Sequence, residues 1–240
     1  LNDMQEKCGL IGTIQYDLGG RCLPAARTTP QALETYAMLH QMRRAKCKAA
    51  AIEISSHAIA QKRVEGLAID CACFTNLTQD HIDYHLDMQS YFETKASLFT
   101  GGHAPLPKNA AINFDDPKGV EIASRIDKKN TKVISFSIEN PDADIRAKDL
   151  ILNPQSSSFT LVYPNGEAKV ELKLPGRYNV SNALAAFACL YSKGYDLGMA
   201  AAALKSFKGV PGRMQKVASN APFDIFVDYA HTDDALKNGL

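Results

Sequence analysis

Four short, mostly apolar runs, at residues 49–54, 69–74, 110–113 and 132–136, recur along the chain with stretches of helical spacing between them. A strand covered on both faces reads as such a run, and strands alternating with helices close into βαβ units around a parallel sheet. The alternation therefore predicts an α/β fold with a mostly parallel sheet flanked by helices. Residues 8–16 read as one further short strand. Thr29-Pro30 predicts a helix start, with threonine as N-cap and proline in the first turn. Leu33, Tyr36, Ala37 and His40 fall at helical spacing and form the face expected to lean on the sheet. Asp87 predicts the cap of a helix reaching Phe99, on which Tyr91, Lys95 and Leu98 share a side, before the Gly101-Gly102 break. Residues 117–126 read as the next helix.

From residue 149 to 174 the pattern changes. Two alternating runs flank Asn165-Gly166, a strong tight-turn signal, so a small antiparallel hairpin excursion is expected. Helices over 180–192 and 198–207 follow, with Gly194 closing the first. Gly209-Val-Pro-Gly212 reads as a linker, and 223–229 as the first strand of another α/β domain. The expected division is 1–208 and 209–240.

Composition narrows the function classes. The 240 residues are 45% hydrophobic and 22% charged, enough for one large core or two small ones. Lys plus Arg number 27 against 26 Asp plus Glu, so no global field draws in nucleic acid or an anionic membrane. No apolar run approaches the ~20 residues of a membrane span, and the N-terminus has no signal-peptide pattern, so the default expectation is cytoplasmic. The six cysteines form no CxxC pair and read as reduced core thiols. The chain starts at Leu1 and stops inside a stretch that reads as helix, so a segment of a longer protein is expected.

Chemistry concentrates at two strand ends. Glu53-Ile-Ser-Ser-His57 leaves the carboxyl end of an apolar run, where α/β proteins collect ligand-binding groups. After the run ending at Phe74, Asp80, His81, Asp83 and His85 crowd six residues. Histidines at i and i+4 can share a metal on one helical face, the zinc-hydrolase arrangement, with Asp80, Asp83 or Glu53 as the added carboxylate. Residues 177–182 (Arg-Tyr-Asn-Val-Ser-Asn) read as a helix cap or as amides for a base. The chain contains no G-x-x-x-x-G-K-[ST], G-x-G-x-x-G or G-x-S-x-G. Local chemistry alone supports a metal-assisted site on an α/β sheet.

The ordered series Thr28-Thr29-Pro30; Glu53-Ile-Ser-Ser-His57 with Gln61 and Arg63; Phe74-Thr-Asn-Leu-Thr-x-Asp-His-Ile-Asp-Tyr-His85; Lys95; Leu174-Pro-Gly-x-Tyr-Asn-Val-Ser-Asn-Ala183; Gly212-Arg-Met214; and Val227-Asp-Tyr-Ala-His-Thr232 resembles the Mur ligase family, most closely its MurE type. The resemblance implies a P-loop NTPase-like central domain of an ATP-dependent ligase. Such a ligase adds meso-diaminopimelate or L-lysine to UDP-N-acetylmuramoyl-L-alanyl-D-glutamate through an acyl phosphate, in peptidoglycan precursor synthesis. It implies that Thr28, Thr29, Ser55, Gln61 and Arg63 contact the UDP-muramoyl dipeptide, and that Glu53 and His81 hold Mg2+. Lys95 would be a carbamylated catalytic lysine that helps to place the metal. Asn179 and Asn182 would meet adenine, and Arg213 and Asp228 the phosphate and ribose of ATP.

The family's phosphate-binding Gly-Lys-Thr loop would fall before residue 1, and the motif selecting the amino acid after residue 240. The chain alone is therefore expected to be inactive. Arg27 and Asp233 depart from the residues common in relatives. Three other readings compete: a folylpolyglutamate- or cyanophycin-type ligase, a zinc hydrolase, and a non-catalytic sugar-nucleotide-binding remnant.

Overall fold

The apolar runs become strands, and the computed structural model sorts them into two units. It describes residues 1–79, 82–102, 105–217, 223, 225–230 and 236, with the backbone alone for Ile82 and Asp83. The first unit comprises Leu1–Asp70 with His81–Lys108, the second Cys71–Asp80 with Asn109–Leu240.

In the first unit β1 (Cys8–Ile11) turns back into β2 (Gln15–Asp17) and then β3 (Cys22–Pro24). The single strand expected over 8–16 is thus a hairpin, with Ile11 opposite Tyr16. Helix α1 (Ala32–Arg44) crosses over to β4 (Ala49–Ile52), which pairs parallel to β1 from Cys8↔Ala49 to Ile11↔Ile52. The sheet order is β3-β2-β1-β4. Gly9 makes the crossover possible, because a Cβ there would stand 2.4 Å from the Met42 sulfur.

Two local expectations change. The N-cap of α1 is Gln31, in a capping box with Glu34, while the Thr29 hydroxyl turns away to the Glu53 carbonyl at 2.7 Å. The inward face is Thr35, Met38, Leu39 and Met42, packed with Ile11, Tyr16 and Leu18, whereas Leu33 is 86% exposed and Tyr36 is exposed. Met42 over Gly9 fixes which row of the helix meets the sheet.

After β4 comes the short α2 (Ser56–Ala60), capped by Ser55, whose Oγ accepts from the Ala58 amide at 3.2 Å. Later in this unit stand α3 (Ile82–His85) and α4 (Met88–Thr100). Asp87 caps α4 as expected, accepting from the Ser90 amide at 2.7 Å, and Gly101 ends it at φ 111°. Tyr91, Phe92, Ala96, Leu98 and Phe99 are buried.

The second unit holds a six-stranded sheet in the order β10-β9-β8-β7-β6-β5. β5 (Cys71–Phe74), β6 (Asn109–Asn113), β7 (Lys132–Ser137) and the start of β8 (Ile145–Asn153) run parallel, with α5 (Pro117–Arg125) between β6 and β7. α5 comes close to the sheet because residue 119 is glycine; a Cβ there would lie 2.0 Å from the Asn113 carbonyl oxygen. The antiparallel excursion continues this same sheet as β9 (Ser156–Tyr163) and β10 (Gly166–Leu172). Tyr163 pairs with Gly166, so Pro164-Asn165 is the turn and Gly166 opens the return strand, one residue from the expected place.

Helix α6 (Arg177–Ser192) lies over the parallel strands and α7 (Leu197–Leu204) packs on β10. Ile112, Ile134, Phe136, Leu161, Leu184 and Phe187 form the interior. Last come β11 (Gln215–Val217) and β12 (Ile225–Val227), an antiparallel pair with Lys216 opposite Phe226. The strand expected at 223–229 is present as β12, and its partner β11 was not foreseen.

Candidate functional site

In the first unit, the carboxyl end of β4 carries a connected set of polar groups. The Glu53 amide donates to the Ile11 carbonyl at 2.8 Å, which extends the β1–β4 ladder and fixes the backbone there. Its side chain is exposed, and Oε2 accepts from the Thr13 amide at 2.9 Å and the Thr13 hydroxyl at 2.8 Å. Thr13 Oγ1 also lies 3.1 Å from Thr28 Oγ1. Thr13 was not singled out by the sequence; its place in the β1–β2 turn becomes meaningful only once β1 and β4 are adjacent.

Thr29 is the buried centre of the set, 1% exposed. Its hydroxyl donates to the Glu53 carbonyl and accepts from the Ser55 amide at 3.1 Å, and its own carbonyl accepts from Arg63 Nη1 at 2.9 Å. Arg63 also donates through Nε (3.0 Å) and Nη2 (2.5 Å) to the Gln61 side-chain oxygen. Gln61 Nε2 in turn reaches the Tyr84 hydroxyl at 3.4 Å. Thr28, Thr29, Ser55, Gln61 and Arg63, expected to share one ligand, therefore do share one network with Glu53.

A second cluster adjoins it on α2, α3 and α4. The His57 ring lies 4.0 Å from Tyr84, and His85 stacks on Tyr91 with centroids 5.0 Å apart. His85 is buried, and its Nε2 sits 2.8 Å from Ser56 Oγ. That contact engages one ring nitrogen of His85, the histidine that a zinc hydrolase would need as a ligand. Among the described residues, no group of three or more His, Cys, Asp or Glu side chains is placed to hold a metal. Lys95 is half-buried on α4, its Nζ 4.9 Å from the Tyr91 ring centre. Asp80 and His81 lie outside the described residues.

In the second unit, Gly176 is the N-cap of α6, and its φ of 91° and closeness to the Tyr178 ring leave no room for a Cβ. Asn179 and Asn182 do not cap the helix. They stand one turn apart on its first turns, Asn182 exposed and Asn179 donating to the Pro175 carbonyl at 2.7 Å. The Tyr178 hydroxyl is buried and among the described residues meets no hydrogen-bond partner, and burial, with the charge of Asp228 after it, pushes its pKa up. Asp228 accepts from the Met214 amide at 2.6 Å and the Ala230 amide at 2.7 Å, and thereby fastens Arg213-Met214 beside β12. Arg213 is exposed, its guanidinium 5.2 Å from the Tyr229 ring centre.

Comparison with known proteins gives the family and the fold. Residues 1–190 match the family model described as the Mur ligase middle domain. A UDP-N-acetylmuramoyl-L-alanyl-D-glutamate--2,6-diaminopimelate ligase from Gloeobacter violaceus is 44% identical over 98% of this chain and 47% of its own length. The protein of the same description from Streptomyces avermitilis is 38% identical over 97% of this chain and 45% of its own. The chain thus spans about half the length of the curated relatives it matches. A solved structure of a ligase of that description superposes with a TM-score of 0.81 at 32% identity, over 98% of this chain and 47% of the other. A pseudomurein peptide ligase type C from Methanothermus fervidus shares the fold, with a TM-score of 0.67 at 22% identity over 92% of this chain and 50% of its own.

Proposed function

Because the chain belongs to the Mur ligase family, we propose that it is the central part, residues 1–208 with the start of a following domain, of a cytoplasmic ATP-dependent ligase. That ligase adds 2,6-diaminopimelate to UDP-N-acetylmuramoyl-L-alanyl-D-glutamate in peptidoglycan precursor synthesis. Diaminopimelate is preferred to L-lysine on the descriptions of the relatives at 38 to 44% identity. The observation that carries the reading is the network joining Thr29, Glu53, Ser55, Gln61 and Arg63.

In this reading the dipeptide's carboxylate attacks the γ-phosphate of ATP, and the incoming amine displaces phosphate from the acyl phosphate to give the amide, ADP and phosphate. Arg63 contributes a guanidinium already oriented by Gln61 and by the Thr29 carbonyl, so little side-chain freedom is lost when it pairs with a carboxylate or phosphate. Thr28 and Ser55 supply hydroxyls beside it. Asn179 and Asn182 would read the base, and Arg213 and Asp228 the phosphate and ribose.

Glu53 fits a hard divalent cation, since Thr13 pins one carboxylate oxygen and among the described residues the other takes no hydrogen bond. Glu53, His81 and a carbamylated Lys95 would hold Mg2+, whose charge would offset that of the phosphates. Among the described residues no helix is long and apolar enough to cross a membrane.

Titration calorimetry of the chain with UDP-N-acetylmuramoyl-L-alanyl-D-glutamate tests the reading. Binding that weakens at least tenfold, about 1.4 kcal/mol, in Arg63→Lys is expected. A wild-type chain that binds a folyl-polyglutamate, and not this nucleotide, would overturn it.

A further inference from the structure

Two consecutive residues of α3 hold both ends of α2. His85 and Ser56 are 6% and 3% exposed, and His85 Nε2 lies 2.8 Å from the hydroxyl of Ser56, the first residue of α2. Tyr84 sets its ring against His57, and its hydroxyl accepts from Gln61, the residue that ends α2. In the function proposed above Ser55, Gln61 and Arg63 meet the substrate, while His85 and Ser56 have no task.

On its other side His85 is anchored to the start of α4. Its carbonyl accepts from the Asp87 amide at 2.7 Å and from the Ser90 hydroxyl, and its ring stacks on Tyr91. A buried polar pair is more costly to separate than an exposed one, because neither group then finds water to replace its partner. The Ser56–His85 contact thus selects one register of α2 against α3 and α4.

That register reaches Arg63 through the backbone. The Arg63 amide donates to the Ala58 carbonyl at 2.8 Å and the Gln61 amide to the His57 carbonyl at 2.9 Å, so both residues move with α2. The Arg63 guanidinium spans from the Gln61 oxygen to the Thr29 carbonyl, which lies outside α2, and its three bonds form together only when α2 stands at one place relative to Thr29. The Ser55 amide ties α2 to the Thr29 hydroxyl as well, but a tether at one end lets a helix of 5 residues pivot. The buried contact with His85 stops the pivot.

We propose that His85 is a positioning residue: through Ser56 it fixes α2 so that the Arg63 guanidinium stands in one orientation before an oxyanion arrives. A guanidinium ordered in advance loses less side-chain freedom on binding, so the gain appears as affinity. The consequence for affinity rests on the function proposed above, whereas the effect on the Arg63 side chain does not. If His85 only filled space, a phenylalanine in its place would serve as well.

Two readouts test this on the whole chain. The first is the NMR resonance of the Arg63 Nε–H without ligand, assigned by its absence in Arg63→Lys. It is expected to broaden or move in His85→Phe, which keeps a ring over Tyr91 but removes the nitrogen, and in Ser56→Ala. His85→Gln, whose amide can pair with the Ser56 hydroxyl, is expected to restore it. The second is calorimetry with UDP-N-acetylmuramoyl-L-alanyl-D-glutamate: the first two variants should bind roughly three- to tenfold more weakly, the worth of one net hydrogen bond, and the glutamine variant should recover. Combining Ser56→Ala with His85→Phe should add no further loss, since the two changes remove one contact. An Arg63 resonance unchanged in both variants, even with a lowered urea midpoint, would make the contact a matter of stability alone and overturn the proposal. Should His85→Phe fail to fold, Ser56→Ala decides. A wild-type chain that does not bind the nucleotide removes the proposed function, and the Arg63 resonance still decides for or against His85.

Discussion

Thr29 illustrates what a residue's neighbours in sequence conceal. Thr-Pro reads as a helix start, yet the hydroxyl serves the Glu53 carbonyl and the Ser55 amide, 24 and 26 residues away. The motif series marked it as a candidate binding residue; its local task was not legible, because that task depends on β4 lying beside β1. Thr13, which pins Glu53, left no sequence signal for the same reason. Thr29→Val should leave a buried amide and carbonyl unpaired, at a cost of about 1–3 kcal/mol, while Thr29→Ser should keep most of the stability. Urea midpoints of the two variants check this, and equal midpoints would remove Thr29 from the centre of the network. Lys95 carries a separate expectation. If its amine forms a carbamate, the chain in labelled bicarbonate with magnesium should give a carbamate carbon resonance in NMR that Lys95→Ala lacks. The same spectrum from both proteins would dismiss the modification.

At the scale of elements, caps and apolar runs were legible because they are local. Asp87 was recognised as the cap of α4, and each of the apolar runs at residues 49–54, 69–74, 110–113 and 132–136 holds a strand, with β6 starting one residue before its run and β7 ending one residue after. The inward face of α1 was not, since Leu33 and Tyr36 satisfy helical spacing as well as Thr35, Met38 and Met42 do. Gly9 on β1 chose between the rows. The cap of α4 gives a pH expectation. Hydrogen bonds from the Ser90 backbone and side chain hold the Asp87 carboxyl below the usual range. A depressed folded pKa contributes stability above the unfolded pKa and loses it as pH falls through the folded one. The helicity of α4 should therefore hold down to the ordinary carboxylate range and loosen below it, and Asp87→Asn should flatten that fall, because asparagine caps without titrating. Amide chemical shifts of residues 88–91 across an acid titration would measure it; an unchanged profile in Asp87→Asn would assign the transition elsewhere. Gly119 sets another contact between elements. Gly119→Ala drives a methyl into the Asn113 carbonyl, which is backbone and cannot swing aside as a side chain would. A loss of about 1–3 kcal/mol should appear in the denaturation midpoint.

Across the whole molecule the chain does not fill its units in order. Residues 71–80 belong with 109–240, although 1–70 and 81–108 surround them in sequence. The alternation of apolar runs foretold α/β units but not this interleaving, because β5 reads the same whichever sheet receives it. Membership was decided by register: Cys71 to Phe74 pair with Asn109 to Ile112, and beyond the strand Asn113 Nδ2 donates to the Thr75 carbonyl at 2.7 Å. Asp116, the cap of α5, accepts the Leu77 amide at 2.7 Å as well as the Lys118 amide. The segment leading out of β5 is thereby fastened to the loop that starts α5. A disturbance of α5 should then reach β5 through these bonds, though 45 residues separate Phe74 from Gly119 in sequence. Native-state hydrogen exchange of Gly119→Ala makes the expectation concrete, since amides that open as one cooperative unit lose the same free energy. The amides of β5 should lose as much protection as those of β6 and β7. If β5 keeps its protection while β6 loses it, the strand is not part of the second unit's cooperative fold, and the long-range pairing carries less of the architecture than its register suggests.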